Sequence, residues 1–413
     1  MLFGLLGLVA VGKPGAACAE EGFPRTRNVA VGERPLPGYE ASGFRLGSFD
    51  IYPRVTTSVD HDDNIYAADT DPISDVIVGV TPEVDVHSNW ARHSLALSAN
   101  SNFVRYVDQK TENTDGWKVK ARGKLDITRE LNASLEVSQT RQTEPRYSSA
   151  YVSTALEPIQ YDTSFAQVSA AATLNRWHIS SSLSDARARY ADVALRTGGT
   201  LTQKFRDRDD GVGVLRVDYA LSPSIAVFTE GSLTRTRYRL NVGQDRDSDG
   251  RSILAGIDME ITNLITGEIS FGHITQSFDD PRRNSISDAH YRARIRWFPT
   301  QLITVTLTGN QEITDSGLET NSTVITREAG LQADYELLRN LIINGWSRYV
   351  QSDYQGLDRR DKRIESGVGL NYLMNSAVGV NLHYSHGKQD SSGAASGRGF
   401  TDNAVGVTLV LQH

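Results

Sequence analysis

The stretch VGVTLVLQH at residues 405–413 decides the fold, because apolar side chains take every second position in it. A period of two is typical of a β-strand with one apolar face and one mixed face. As a lone edge strand in water, such a segment would promote aggregation. The pattern therefore predicts a strand whose apolar face and edges are both covered. The apolar face comprises Val405, Val407, Leu409 and Leu411.

The same alternation recurs along the chain from about residue 49. It predicts eighteen strands, and their number alone does not separate a soluble sandwich from a membrane barrel. The strands are expected to begin near residues 49, 75, 90, 115, 131, 160, 177, 208, 225, 250, 267, 287, 302, 322, 341, 361, 377 and 400.

The connections between these strands alternate between short and long. Asn175-Arg176 and the LSPS stretch at 221–224 are tight, whereas the polar stretch 143–158 and the ALRTGGTLTQKFR segment are long. Outer-membrane barrels of bacteria have an even strand number, short periplasmic turns and long extracellular loops. We therefore predict an all-β fold: a transmembrane antiparallel β-barrel of about 18 strands in the bacterial outer membrane.

The two faces of the strands agree with this fold. Val119 and Ala121, for example, alternate with Lys118 and Lys120, as expected for a wall with lipid on one side and water on the other. A soluble sandwich would show the same alternation, but only a closed barrel leaves no unpaired backbone edge in lipid. Trp177, beside a tight turn, is expected in an aromatic girdle at the membrane surface.

Composition excludes other classes. The net charge of -7 argues against nucleic acid as a partner. Apolar residues are only 39% of the chain, and no run of about 18 apolar residues predicts a membrane-spanning helix. A chain with a single cysteine, Cys18, is not a disulfide scaffold.

The first residues predict export. Residues 1–19 read as a signal peptide ending in the A-x-A-like site Ala17-Cys18-Ala19, although a basic n-region is missing. Either the signal is atypical or the true start lies upstream, and lipidation of Cys18 is a second reading. Residues 20–48 are expected to form a periplasmic segment, either a plug or a linker to a partner, and residues 49–413 the barrel.

Several segments carry a resemblance to a known family. GFRLGSFDIYPRV, WFPTQLITVTLTG, DYELLRNLIINGWSRY and NYLMNSAVGVNLHYSHG resemble the putative beta-barrel porin 2 family of outer-membrane proteins, from about residue 43 to the C-terminus. The resemblance implies an outer-membrane barrel. Members are often encoded with exopolysaccharide synthesis and export genes, which implies polysaccharide-export proteins as partners. No catalytic residue and no cofactor come with the family.

Two strands place basic side chains in columns on their inward faces. The fourth and twelfth strands lie nearly opposite in an eighteen-strand ring, so we expect two basic walls across the lumen. Residues two apart are roughly 6.6 Å apart, within a Debye length of about 8 Å, and arginine binds carboxylates and phosphates in a bidentate manner. An anionic polymer or solute is the implied cargo, unless the cations only solvate a wet wall and pair with acids. The expected lumen residues are Lys118, Lys120, Arg122, Lys124, Arg292, Arg294 and Arg296, with Thr304, Thr306 and Thr308 beside the arginines.

Two other site classes were considered. The DRDSDG loop matches the first half of an EF-hand loop through Asp245, Asp247 and Asp249, but Gly256 stands where the ligand at position twelve should be. A weak Ca²⁺ site and an acidic hairpin both remain open. His383 and His386 fall on opposite faces of one strand, and neither G-x-S-x-G nor H-E-x-x-H occurs, so no enzyme is expected.

Two functions from different classes follow. The first is a porin-like channel for an anionic exopolysaccharide or anionic solute, and the second is a non-conducting barrel that anchors envelope or export partners. The resemblance also implies that residues 405–413 form the signal for the barrel-assembly machinery. Such signals usually end in Phe, and His413 departs from this.

Overall fold

The computed structural model describes residues 29–241, 245–318 and 323–413. Eighteen long antiparallel strands, here β1 to β18 in chain order, form one sheet that closes on itself. The predicted transmembrane antiparallel barrel of eighteen strands is confirmed. The signal peptide, Cys18 and residues 20–28 lie outside the described residues. The strands are Phe49–Asp62, Asp75–Ser88, Ser94–Tyr106, Thr114–Asp126, Leu131–Thr143, Gln160–Leu174, Trp177–Tyr190, Arg208–Ser222, Ile225–Tyr238, Ser248–Ile261, Ile265–Phe278, Ile286–Thr300, Ile303–Thr314, Val324–Leu338, Leu341–Tyr354, Arg360–Leu373, Val378–Ser392 and Phe400–Gln412.

The ring closes where the last strand meets the first. In β18, Val407 lies opposite Val59 of β1 and opposite Leu382 of β17. The four apolar side chains of β18 point outward, and Val405 remains 54% exposed to the surroundings of the barrel. His413 ends the chain with its backbone N–H donating to the Pro53 carbonyl at 3.1 Å. Closure therefore pairs both edges of this strand.

The two rims differ in the length of their connections. Two residues separate Leu174 from Trp177 at one rim, whereas sixteen separate Thr143 from Gln160 at the other. The third strand begins at Ser94 and not near residue 90, because residues 89–93 form a turn in which Arg92 donates to two carbonyls of the next turn. Within the described residues, no helix is long and apolar enough to cross a membrane.

Shorter elements lie at the rims. Phe44–Leu46 pairs with the start of β1, and Val193–Ala194 pairs with Thr200–Leu201 within the β7–β8 connection. Short 3-10 turns cover Val31–Glu33, Lys110–Glu112, Lys204–Arg206 and Thr262–Leu264. A small apolar core beneath the long loops joins Ala155 and Ile159 to Tyr190 and Val193. These contacts hold the long loops to the barrel and do not leave them as free chain.

Candidate functional site

The inward face of β4 carries the first expected basic column. Lys118, Lys120, Arg122 and Lys124 alternate with Val119, whose side chain is 51% exposed on the outer face. The carboxylate of Glu136 on β5 lies 3.6 Å from the Lys120 Nζ. Among the described residues, no carboxylate oxygen lies within 4.0 Å of Lys118 or Arg122. This part of the wall is therefore positively charged.

The second column, on β12, is largely neutralised by acids. Arg292 donates to Glu230 at 2.8 Å, and Arg296 binds both carboxylate oxygens of Glu33 at 2.8 and 3.1 Å. Arg294 lies opposite Glu268 of β11. The expected second basic wall is therefore a mixed surface of alternating charge, because acids from β9, from β11 and from the N-terminal segment lie against it.

The hydroxyl row of β13 lies where the register predicted it. Thr306 is opposite Arg296 and Thr308 is opposite Arg294. Thr304, however, is fully buried, and its Oγ1 accepts the backbone N–H of Val31 at 3.0 Å. Thr304 is consequently closed to a solute in this arrangement, while the other two threonines line the mixed surface.

The N-terminal segment explains why this wall is occupied. Glu33 binds Arg296, and Arg34 donates to Glu336 of β14 at 3.1 Å. Val31, which precedes both of these residues, is 1% exposed. Residues 29–34 thus lie against the inner wall formed by β12, β13 and β14, near the rim with short turns.

A buried arginine on β8 escaped the sequence analysis. Arg216 binds Asp218 and Glu268, each at 2.8 Å, and its guanidinium lies 3.7 Å from the centroid of the Phe228 ring. Phe228 can lie flat against β10 because Gly256 has no side chain, and a Cβ there would collide with the ring. The R-x-D spacing alone gives no signal for this cluster, since Phe228 and Glu268 come from two other strands.

The long connection after β5 folds into the barrel and begins with a buried ion pair. Both oxygens of Glu144 accept from Arg206, at 2.8 and 2.6 Å, and both side chains are less than a tenth exposed. Arg206 also stacks 4.0 Å from the centroid of the Tyr190 ring. Burial opposes the charge of Arg206, but the hydrogen bonds and charge of Glu144 outweigh it and raise the pKa of the guanidinium. Arg206 therefore keeps its charge in this buried position.

The next residues of this loop reach other loops at the same rim. Arg146 binds Glu112 of the β3–β4 connection through two hydrogen bonds of 2.8 and 2.5 Å. Its own carbonyl accepts from Arg398, which lies just before β18. Arg398 also stacks 3.9 Å from the centroid of the Tyr151 ring. Cations thus fix the loop on two sides.

The tip of the loop reaches the far wall. Tyr147 stacks on Phe400 of β18, with centroids 6.4 Å apart, and the Arg363 guanidinium of β16 lies 4.1 Å from the same tyrosine ring. Ser149 donates to the Ser316 carbonyl at 2.6 Å, in the connection after β13. Since β13 lies eight strands from β5 in a ring of eighteen, the loop crosses the lumen.

A pocket of about 240 Å³ remains between this crossing loop and the wall of β15 to β17. Its charges are balanced, because Arg348 binds Glu328 at 2.6 Å and Arg363 lies 3.3 Å from Glu365. Asp315 accepts from Arg208 and from the Tyr238 hydroxyl. Burial raises the pKa of Asp315, but the charge of Arg208 and the Gly317 N–H lower it more, so the pKa lies below its ordinary value. The lining includes Tyr147, Arg206, Arg208, Asp315, Arg348 and Arg363.

The DRDSDG loop gathers a different set of acids from the one expected. Asp245 and Asp247 lie within 4.8 Å of Asp279, whereas Asp249 points outward and binds Arg235 and Arg237. The difference arises because Asp245 and Asp247 lie in the connection before β10, whereas Asp249 lies in β10 itself, on the outer face. The EF-hand reading of all three aspartates is therefore wrong in geometry.

The two histidines of the HYSH segment lie on opposite faces. His383 faces inward with its Nε2 2.8 Å from Asp60, and His386 faces outward beside Asn403 at 2.9 Å. They share no site.

The sequence is similar to that of a known protein family. Residues 36–413 match the family described as putative beta-barrel porin 2. The chain belongs to that family. This porin 2 barrel is accordingly a porin-like protein of the bacterial outer membrane. No curated protein matches the sequence.

Solved structures with a similar fold are distant in sequence. OccK1 (OpdK) of Pseudomonas aeruginosa is 13% identical over 88% of this chain and 99% of its own, with a TM-score of 0.46. OccAB3 of Acinetobacter baumannii is 10% identical over 89% and 100%, with a TM-score of 0.48. A mutant of the ferric enterobactin receptor PfeA of Pseudomonas aeruginosa is 6% identical over 88% and 80%, with a TM-score of 0.48.

Proposed function

We propose that this porin 2 barrel is a channel for anionic solutes whose charge is recognised by the inward face of β4. The observation that carries the proposal is Lys118 and Arg122 on the inward face of β4, which have no carboxylate oxygen within 4.0 Å among the described residues. A positive strip along a water-filled wall raises the local concentration of anions and lowers that of cations. We propose no catalytic activity and no cofactor for the protein.

The crossing loop sets the size of what passes. With residues 144–151 tied to the far wall, a small anion or short acidic saccharide is the preferred cargo. An anionic exopolysaccharide, which the genes found beside other family members suggest, needs the loop to withdraw. Transfer of a polymer would also involve polysaccharide-export proteins as partners.

Selectivity measurements test the role of β4. Purified protein in planar bilayers with a salt gradient is expected to prefer anions, and Lys118→Gln with Arg122→Gln is expected to reduce the anion preference by about threefold or more. Lys362→Gln with Lys388→Gln is the matched control, because both lysines point outward. Cation preference in the native protein, or equal loss in both double variants, contradicts the proposal.

A locked loop separates small solutes from a polymer. Ser149→Cys with Ser316→Cys introduces a pair of thiols into a segment of chain without other cysteines. After oxidation, uptake of a small carboxylate is expected to continue, whereas release of an acidic polymer should stop until a reductant is added. Polymer release that is indifferent to the lock would remove the loop from the transport path.

A non-conducting barrel is the second candidate, and the filling of the lumen favours it. The crossing loop lies inside at one rim, and residues 29–34 lie inside at the other, where Glu33 takes the place of an anion on Arg296. In this reading the N-terminal segment is a plug. Absence of single-channel steps in the native protein, with steps after removal of residues 29–42, would support this function over free passage.

A further inference from the structure

The outer face of the barrel carries a cluster of arginines where β7 to β10 approach the long loops. Alternate residues of these strands point outward. The residues that continue the lipid-facing row toward the long loops, at every second position, therefore also point outward. Leu233 of β9 is 69% exposed, and the next outward residues are Arg235 and Arg237. Arg251 of β10 lies directly opposite Leu233. The cations thus stand at the border of the apolar band.

The depth of these arginines follows from the length of the apolar strip beneath them. From Ile225 to Arg235, β9 covers about 33 Å along the strand at roughly 3.3 Å per residue, and a strand tilt of roughly 40° reduces this to about 25 Å of height. The apolar band of such barrels is about 25 Å tall. Arg235 and Arg237 therefore lie at the level of the lipid headgroups on the rim with long loops.

Acids in the cluster are too few to neutralise it. Arg235 and Arg237 share the carboxylate of Asp249, at 3.0 and 2.9 Å, and Asp247 lies 3.9 Å from Arg237. Arg251 donates to the Thr275 hydroxyl at 3.1 Å. The Arg235 side chain is 70% exposed, so most of its donors face the surroundings. Three guanidinium groups around two aspartates leave an excess of positive charge.

The cluster continues along the same level. Arg187 of β7 binds Asp185 at 2.9 Å with its side chain 59% exposed, and Arg189 binds Asp209 of β8. Asp209 lies opposite both Arg187 and Arg237 in the sheet. The outward charges of β7 to β10 comprise five arginines and three aspartates, which are Arg187, Arg189, Arg235, Arg237 and Arg251 with Asp185, Asp209 and Asp249.

We propose that this outer arginine cluster binds the phosphate groups of an anionic glycolipid in the outer leaflet. Guanidinium groups match phosphate oxygens through paired, charge-assisted hydrogen bonds. A glycolipid satisfies both halves of the surface, since its acyl chains cover Leu183, Leu233 and Ile253 while its phosphates meet the arginines directly above. Free phosphate would contact only the arginines and not the apolar row.

The test uses the full chain purified in detergent. A bis-phosphorylated outer-leaflet glycolipid is titrated in mixed micelles, and Arg235→Gln with Arg237→Gln and Arg251→Gln is expected to weaken its binding about tenfold or more. The same lipid without phosphates should bind the native protein as weakly as the variant binds the intact lipid. Inorganic phosphate at millimolar concentration should show no saturable binding.

The control pair lies at the same rim on the other side of the ring. Lys362→Gln with Lys388→Gln removes two outward cations from β16 and β17 and is expected to leave lipid binding unchanged. Heat-modifiable migration in gels verifies that each variant has folded. The proposal is overturned if the triple variant binds as tightly as the native chain, if the control variant loses as much affinity, or if the dephosphorylated lipid binds equally well.

Discussion

At the scale of single residues, the lumen is governed by charges that are buried in pairs. Removing one member of such a pair leaves the other uncompensated, which costs more than the pair itself contributes. Glu144 and Arg206 show this most directly, because two hydrogen bonds and a tyrosine ring surround the guanidinium in a site that is almost closed to water.

Neutralising Glu144 should release the crossing loop. Glu144→Gln leaves Arg206 buried without its counter-charge, and we expect the anchoring to weaken by about 3 kcal/mol. Current traces should become noisier and more conductive, and limited proteolysis should cut between residues 145 and 158. Asp162→Asn, in an exposed outward pair with Arg141, is the matched control and should change neither result.

Low pH is expected to weaken a second group of contacts beside the crossing loop, those that Asp315 makes with Arg208 and Tyr238. The pKa of Asp315 is lowered below its ordinary value of 3.8, so its ionised form stabilises the folded arrangement above that pH. This contribution is lost only as the pH falls through the lowered pKa. Conductance is therefore expected to be steady from pH 7 to 5 and to rise below about pH 4. In Asp315→Asn the open level should already be present at pH 7, and a pH response equal to that of the native chain would refute the role.

At the scale of elements, the strands could be predicted and the contacts of the loops could not. Period two is a direct consequence of strand geometry, so β18 and its four outward side chains were readable from residues 405–413. Ion pairs such as Glu33 with Arg296 join residues more than 260 positions apart. The alternation indicates whether a side chain faces inward or outward, but it does not indicate which distant acid contacts that side chain. The neutralisation of the β12 arginines could therefore not be predicted.

The terminal strand should control assembly. We expect removal of residues 405–413 to abolish insertion, because β1 and β17 then both present unpaired edges. His413→Phe should preserve or improve insertion, since barrel signals usually end in an aromatic side chain and His413 lies only 6.5 Å from the Phe44 ring. Quantitative blotting of outer-membrane fractions measures both variants. Normal membrane levels of the truncated chain would exclude this role.

At the scale of the whole molecule, the outer wall and the contents of the barrel have separate tasks. An eighteen-strand ring is wide enough for an aqueous channel, and the crossing loop and the N-terminal segment narrow it from opposite rims. The basic strip of β4 follows the wall between them. In the proposed channel, passage depends on how firmly the two inserted segments are held, while stability depends on the ring.

Shortening the loop should enlarge the path without unfolding the barrel. Replacing residues 147–156 by a Gly-Ser link removes the contacts with Phe400, Arg363 and Ser316 but no strand. Single-channel conductance is expected to rise at least about twofold, with unchanged heat-modifiable migration. Replacing the exposed residues 196–200 in the same way is the control, and a similar rise there would show that the crossing loop does not limit the current.

The inward course of the loop after β5 also decides what the cell displays. Residues 144–150 are held against the inner walls, so antibodies and phages approaching from the medium do not meet them as a flexible epitope. They meet the hairpin at 196–200, whose residues are all exposed. Ala194, which pairs with Thr200 at the base of the hairpin, is partly covered. Of these two loops, the hairpin is therefore the one that such particles can reach, whereas the crossing loop is shielded by the inner walls.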